Sequence, residues 1–379
     1  MNVVNIIEEA KIGGPQLRMI RVAVALHGEV NTTIVMPKDN SAAFVSQCEL
    51  SGVKYKTFNI TRITKELSAA LRYTLFSLFE IVRLVVFFKK GNFDLVHVSG
   101  GSWQYKGVIA GKIAGKKVIW HLNDTSMPWV FRKIYLLLSR YADGYIYASE
   151  RTKKYYSFAG GMRKPEFVIP APVDVNKFEP DANYEGDEEL IRTLDGKIVI
   201  GCVANVNPIK GLDVLVEAAS LINKNYDDVE FVVIGVIYKN QKRYFDKLSN
   251  LCAENNVNNI NFVGGRSDVS ALLHRFDVYL CSSQAESSPI AVWESLAMGK
   301  PVVSTDVGDV PLYVRDGVNG FIVDCGDYVT MSEKLSKLIE SEKLRSEFGK
   351  NSREMAVENL DIKQCAKKHI EAYNTVLYE

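Results

Sequence analysis

The sequence predicts an α/β protein built from two doubly wound domains, each a parallel sheet with helices between its strands. Two observations carry this: the size of the chain, and a rhythm of short β-branched runs alternating with helical patterns that occurs twice. A chain of 379 residues, 47% hydrophobic and 24% charged, has an ordinary globular composition, and at roughly 100 to 200 residues per domain it supplies two cores. Disordered, collagen-like and coiled-coil readings are excluded, because its 11 Pro, 26 Gly, 17 Phe and 18 Tyr are spread without low-complexity tracts.

The first series of runs is Val3 to Ile7, Thr33 to Met36, Asp94 to Val98, Lys117 to Leu122, Gly144 to Ala148 and Phe167 to Pro170. The second is Ile198 to Ala204, Glu230 to Gly235, Ile260 to Val263, Val278 to Ser282, Pro301 to Thr305 and Gly320 to Val323. Apolar runs of this length, bounded by turn residues, fit strands buried on both faces of a parallel sheet. Between the series stand Pro170-Ala171-Pro172 and the acidic stretch Glu179 to Glu189, which mark a connection between domains. The expected layout is a first domain over 1–172, a connection over 173–196 and a second domain over 197–361, with the ligand in the cleft between them.

The six cysteines lie far apart and show no C-x-x-C spacing, so reduced packing thiols are expected rather than a zinc site or disulfide framework. The run Met1 to Glu9 has no basic segment and too short an apolar core for a signal peptide, which predicts a cytoplasmic protein. Charge is divided unevenly: residues 1–172 hold 24 Lys and Arg against 12 Asp and Glu, net +12, whereas residues 173–379 hold 22 against 33, net −11. A basic half matches an anionic membrane surface or a phosphorylated ligand; nucleic acid is disfavoured because the basic residues form no run or recognisable motif. The stretch Leu67 to Phe88 contains Arg72, Glu80 and Arg83, too many charges for a membrane span. It reads as a helix that either packs in the core or lies on an anionic bilayer with Lys89 and Lys90 at its end.

Three segments carry candidate chemistry. After the first strand, Ile12-Gly13-Gly14-Pro15 leads into a helical pattern; Gly13 and Gly14 permit close backbone approach, and a helix N-terminus attracts negative charge. The same loop is also an ordinary tight turn. After the first strand of the second series, Asn205-Val206-Asn207-Pro208-Ile209-Lys210-Gly211 sets a lysine just before a helix, a mobile cation suited to a leaving diphosphate or simply a solvated turn. The most informative stretch runs from Ser282 to Val303 and holds a Glu286-x7-Glu294 pair. Ser288 is expected as N-cap with Pro289 in the first helical turn, and Gly299 as the stop. Glu286 then lies in the loop and Glu294 inside the helix, where two carboxylates can accept hydrogen bonds from the hydroxyls of two sugar rings.

Taken with Ala297-Met298-Gly299-Lys300-Pro301-Val302-Val303, Pro208-Ile209-Lys210-Gly211, Gly13-Gly14 and Val118-Ile119-Trp120-His121, this pair resembles the retaining glycosyltransferases of family 4. The resemblance covers most of the chain and implies the GT-B fold, two facing Rossmann-like doubly wound domains with a cleft between them, the last helical segment (362–379) returning to the first domain. It implies that Glu294 binds ribose hydroxyls, Glu286 contacts the transferred sugar, Lys210 grips the diphosphate, and the backbone of Ser287, Ser288, Pro289 and Ile290 lines phosphate and sugar. His121 falls where the family places a histidine near the donor sugar; read from its residue type alone, it is a satisfied core or cleft-edge imidazole. Gly264-Gly265-Arg266 follows a strand where the family contacts the base through backbone, so Arg266 joins the donor-binding set; read from its residue type alone, it is a surface residue.

The chain departs from the family at Asn205, where an Arg is usual, and at Ala171-Pro172-Val173-Asp174, where Asn-Gly-Val-Asp is usual. The first change shifts the diphosphate load to Lys210. No Asp-x-Asp pair is present to hold a divalent ion, so neither metal nor cofactor is expected. The resemblance implies a nucleotide-sugar donor, UDP- or GDP-linked, and a glycan acceptor, lipid-linked, in bacterial surface polysaccharide synthesis of the O-antigen or capsule type, with peripheral contact at the inner face of the plasma membrane through the basic first domain. A nucleotide-sugar epimerase of the same architecture and a non-catalytic sugar-binding protein are the alternatives.

Overall fold

A computed structural model of the chain describes residues 1–62, 67–125, 127–159 and 164–378. They form two units, Met1–Pro172 with Ile362–Glu379, and Val173–Asp361. The first unit contains a seven-stranded sheet of β1 (Asn2–Ile6), β2 (Asn31–Pro37), β3 (Lys54–Phe58), β4 (Leu95–Val98), β5 (Lys117–Leu122), β6 (Gly144–Tyr147) and β7 (Glu166–Val168), in the order β3-β2-β1-β4-β5-β6-β7. The second contains a six-stranded sheet of β8 (Ile198–Val203), β9 (Val229–Ile234), β10 (Ile260–Gly264), β11 (Val278–Cys281), β12 (Val302–Thr305) and β13 (Gly320–Val323), in the order β10-β9-β8-β11-β12-β13. The ladders are parallel in both sheets. Every residue of β4, β6, β11 and β12 is buried, because helices cover both faces and leave no position for alternation.

β3 is the strand the apolar runs did not predict. Its sequence, Lys-Tyr-Lys-Thr-Phe, alternates, with Lys54 and Lys56 exposed. It sits at the sheet edge, where one face meets water and exposed lysines discourage pairing with another chain.

The helix Leu67–Lys90 buries Tyr73, Leu84 and Phe88 in the core, while its opposite face, including Leu75 and Leu78, stays exposed. A buried polar knot anchors it. Lys106 is fully buried, with Nζ 2.5 Å from Glu80 Oε2, 3.9 Å from Glu8 Oε2 and 3.7 Å from the Tyr73 ring centre. Glu8 accepts from the Lys106 amide at 2.9 Å and from the Tyr73 hydroxyl at 2.9 Å. Burial, only partly offset by Lys106, raises the Glu8 pKa to about 7.

The C-terminal helix Ile362–Tyr378 packs Ala366, Ala372 and Val376 against Val3, Ile119 and Ile146 of the first sheet. Gly144 makes room for it, since a Cβ there would lie 2.5 Å from Val376. In the second unit, Ile200, Phe231, Leu280 and Val303 meet the helices Leu212–Ile222 and Tyr328–Ile339 in one core. Residues 173–196 lie within this unit. Arg353 donates to the carbonyls of Val175, Phe178 and Ala297, each at 2.8 Å, and pairs with Glu179. None of the six cysteines forms a disulfide; Cys325 alone is exposed.

Removing Lys106 leaves two buried carboxylates without their cation. Lys106→Met is expected to cost roughly 3 to 5 kcal/mol of unfolding free energy in a denaturant titration. Adding Glu80→Gln should recover part of that loss.

Candidate functional site

In both sheets the chain direction of travel reverses beside the first strand, between β1 and β4 and between β8 and β11. Loops leaving the carboxyl ends of such neighbouring strands diverge and open a crevice, so polar groups collect there. In the second unit, the turn after β8 is shaped by Asn207, whose Oδ1 accepts from the Ile209 amide at 2.8 Å. Gly211 follows with φ +59°, and a Cβ on it would lie 2.1 Å from the Ser282 carbonyl oxygen. Only glycine lets this turn rest on the loop after β11, where Gln284 N donates to Ile209 O at 2.8 Å and Ser282 Oγ to Lys210 O at 3.0 Å.

That packing brings Lys210 Nζ to 2.5 Å from Glu286 Oε1, which also accepts from Ser283 Oγ at 2.9 Å. Burial works against the Lys210 charge, but the Glu286 carboxylate outweighs it and the lysine pKa is raised. The side chains remain 27% and 15% exposed, so the pair is accessible from solvent. A cation and an acceptor that satisfy each other here can each exchange partner for a ligand group of the right charge.

The helix Ile290–Ala297 begins one residue later than expected. Its N-cap is Pro289, with no side-chain cap. Ser288 has another role: its Oγ accepts from Trp293 Nε1 at 3.0 Å, which holds the loop to the helix. Pro289 lacks an N–H, so the backbone amides of this segment are those of Ser287, Ser288 and Ile290. The loop rests on Gly308, where a Cβ would lie 2.3 Å from Ser287 O, and Asp309 N donates to that oxygen at 3.1 Å. Glu294 lies in the second turn, 7% exposed.

The other donor-side candidates stand apart. Asn205 Oδ1 accepts from Val236 N at 2.9 Å, tying the loop after β8 to that after β9. Arg266 donates to Asp268 at 2.7 and 2.8 Å and to Asp187 at 3.2 Å, which commits its guanidinium to two carboxylates.

In the first unit, Gly13 is the uncapped N-cap of the helix Gly14–Ala25, placing Gly14 and Pro15 in its first turn. His121, on β5, is 2% exposed. Its Nδ1 lies 3.0 Å from His97 Nε2, and His97 Nδ1 lies 2.8 Å from the Tyr373 hydroxyl of the C-terminal helix. His121 Nε2, Arg18 Nε and Asn123 Oδ1 are buried without a hydrogen-bond partner. All three residues line one small cavity together with Asn5, His97 and His369. Arg18 donates to Ile169 O at 2.7 Å; burial lowers its pKa to about 10, which leaves it cationic at neutral pH. Burial also holds His97 and His121 well below the usual imidazole range and His369 down to about 3. Arg18, His97 and Asn123 belong to no motif the sequence reading singled out, and their common place appears only when β1, β4, β5 and two helices are packed.

Two family models divide the chain. "Glycosyltransferase Family 4" matches residues 12–177 and "Glycosyl transferases group 1" matches 188–355, together most of its length. A Campylobacter jejuni N,N'-diacetylbacillosaminyl-diphospho-undecaprenol alpha-1,3-N-acetylgalactosaminyltransferase is 25% identical over 254 residues, 66% of this chain and 65% of that protein. The Staphylococcus aureus capsular polysaccharide biosynthesis glycosyltransferase CapM is 29% identical over 208 residues, 55% of this chain and 53% of that protein. The matched segments thus span less than two thirds of these relatives. Among solved structures, Anabaena HepE in complex with UDP and glucose superposes with a TM-score of 0.82 at 20% identity, covering 97% of this chain and 98% of that one. A glycosyltransferase from Rickettsia africae does so with 0.84 at 18%, covering 100% and 99%. These likenesses establish the GT-B fold.

Gly211→Ala forces a Cβ against the Ser282 carbonyl in left-handed backbone. It should cost roughly 2 kcal/mol or more in thermal unfolding and separate Lys210 from Glu286. The three histidines predict acid sensitivity. Their folded pKa values lie below the ordinary 6.5, so the unfolded chain takes up protons first; stability is full above that value and lost as pH falls through it. His369→Gln should make the decline in unfolding free energy between about pH 6 and 4 shallower by roughly 1 kcal/mol per pH unit in denaturant titrations.

Proposed function

The chain belongs to glycosyltransferase family 4, and on that premise we propose that it moves one sugar from a UDP- or GDP-sugar to a glycan acceptor, with retention of anomeric configuration. The observation that carries the reading is the Lys210–Glu286 pair, 2.5 Å apart beside an uncapped helix N-terminus. As the bond from sugar to diphosphate breaks, negative charge grows on the leaving group. Lys210 releases Glu286 and turns to that charge, helped by the amides of Ser287, Ser288 and Ile290. Glu286, freed from the lysine, accepts hydrogen bonds from the hydroxyls of the oxocarbenium-like sugar, and Glu294 accepts from the ribose. The acceptor hydroxyl attacks on the face the diphosphate leaves, handing its proton to the departing phosphate oxygen.

Lys210 and the helix amides supply the positive potential, so no metal is assigned to the reaction. With Asn205 tied to Val236, Lys210 carries the diphosphate charge without a second cation in that loop. Arg266 contributes to the base pocket through its backbone. In the first unit, the loop at Gly13 and Gly14 presents amides to an anionic group, and His121 offers Nε2, its one ring nitrogen without a partner, to the donor sugar. The acceptor is a lipid-linked glycan of a bacterial surface polysaccharide, worked on at the cytoplasmic face of the membrane. The names of the Campylobacter and CapM relatives support that acceptor class, and the UDP in the HepE crystals makes UDP the first probe.

Titration calorimetry with UDP and then GDP, in chelator and then in magnesium, tests the donor half: one nucleotide should bind without metal. Glu294→Ala should weaken that binding by roughly 10- to 100-fold. Glu286→Ala should lower turnover more than binding, and the reverse pattern would overturn these roles.

A further inference from the structure

We propose that Tyr373 and His97 are positioning residues that hold the proton of His121 on Nε2, so that His121 meets its ligand as a hydrogen-bond donor; what this does for the reaction rests on the reading that sets His121 at the donor sugar. The arrangement starts in the sheet. His97 on β4 is paired in register with Ile119 on β5, and side chains two residues apart on a strand share a face. His97 and His121 therefore point to the same side. The C-terminal helix covers that side and brings Tyr373 to His97.

The three groups form one chain. The Tyr373 hydroxyl lies 2.8 Å from His97 Nδ1, and His97 Nε2 lies 3.0 Å from His121 Nδ1. The two rings are within 14° of parallel, with centres 5.2 Å apart. At that centre separation, nitrogens this close must lie between the centres, edge to edge. The contact runs in the ring planes, where an N–H or a lone pair is directed. All three residues are buried, so water does not compete for these bonds.

A neutral imidazole has one N–H and one lone pair, so His97, engaged at both nitrogens, donates through one and accepts through the other. Burial, and after it the nearby Arg18 and His369, keeps both rings neutral by holding their pKa values well below the usual range. Two registers satisfy this rule. In the first, Tyr373 donates to His97 Nδ1, His97 Nε2 donates to His121 Nδ1, and the His121 hydrogen stands on Nε2. In the second, every bond is reversed and His121 Nε2 is bare. Among the described residues the Tyr373 hydroxyl has no acceptor but His97 Nδ1, so the second register buries its hydrogen without a partner. Arg18 pulls the other way, since a lone pair faces a cation better than an N–H does. Its pull acts without a hydrogen bond to His121, whereas the Tyr373 bond is direct.

The first register also matches the cavity. His121 Nε2 and Arg18 Nε then supply two N–H donors and Asn123 Oδ1 one acceptor, all buried without a partner among the described residues and set around one cavity. Two donors and one acceptor complement a single hydroxyl, which has two lone pairs and one hydrogen.

The test is nitrogen NMR of the full chain, isotope-labelled at histidine, with His121→Gln to assign the His121 signals among the five histidines. In the wild-type protein His121 should carry its hydrogen on Nε2, by roughly tenfold or more over the other tautomer. Tyr373→Phe should populate the other tautomer. His97→Gln, whose amide keeps an acceptor toward Tyr373 and a donor toward His121, should retain the wild-type pattern. With UDP-glucose as probe and UDP release as the readout, Tyr373→Phe should lower kcat by roughly five- to tenfold, and His97→Gln by much less. UDP or GDP affinity should not change, which shows the variants are folded. A His121 hydrogen on Nδ1 in the wild-type protein, or a tautomer that Tyr373→Phe leaves unmoved, would overturn the proposal. A shifted tautomer with unchanged turnover would uphold the positioning and count against the place of His121 at the sugar, which keeps the two readings apart.

Discussion

Both units depend on one constraint: a parallel sheet has to be covered on both faces. Helices supply the cover, so strand interiors become mostly apolar, and β4, β6, β11 and β12 have no residue exposed to water. Polar chemistry is then displaced to the strand ends, where loops can be solvated and helix N-termini lack partners. The reversal of chain direction beside β1 and β8 selects which ends open. Lys210, Glu286 and the Pro289 cap all follow strands at that reversal in the second sheet.

The units treat charge differently. In the second, Lys210 and Glu286 neutralise each other at a partly exposed edge and can part when a ligand offers better complements. In the first, Arg18 is buried beside three neutral imidazoles in a cavity whose lining contains no carboxylate. A buried cation without an acid is costly, and it persists because the surrounding packing and the Ile169 carbonyl hold it. The first arrangement suits an exchange of partners; the second suits a rigid, polarised wall.

Glycines set the geometry more directly than the charged residues do. Gly211 and Gly308 sit under the carbonyls of Ser282 and Ser287 at distances no Cβ allows. Each brings a loop within reach of the next, and the ion pair is a result of that approach. The turn residues are therefore as much part of the site as Lys210 and Glu286.

Local chemistry determined much of this in the sequence. Apolar runs marked twelve of the strands, most clearly where burial on both faces erases alternation, as in β4, β6, β11 and β12, and the Glu286-x7-Glu294 pair was visible because loop and helix are adjacent in the chain. β3 escaped because an edge strand alternates. The Ser288 cap was misplaced because its hydroxyl meets Trp293, a contact decided by packing rather than by cap preference. The tertiary structure alone decided that Arg18, His97, Asn123 and His369 share a cavity, that Arg266 is taken by Asp187 and Asp268, and that the Leu67–Lys90 helix keeps an apolar face outside. Periodicity reports which faces of an element are apolar. Whether a face is covered depends on residues far away in the chain, and no local pattern contains them.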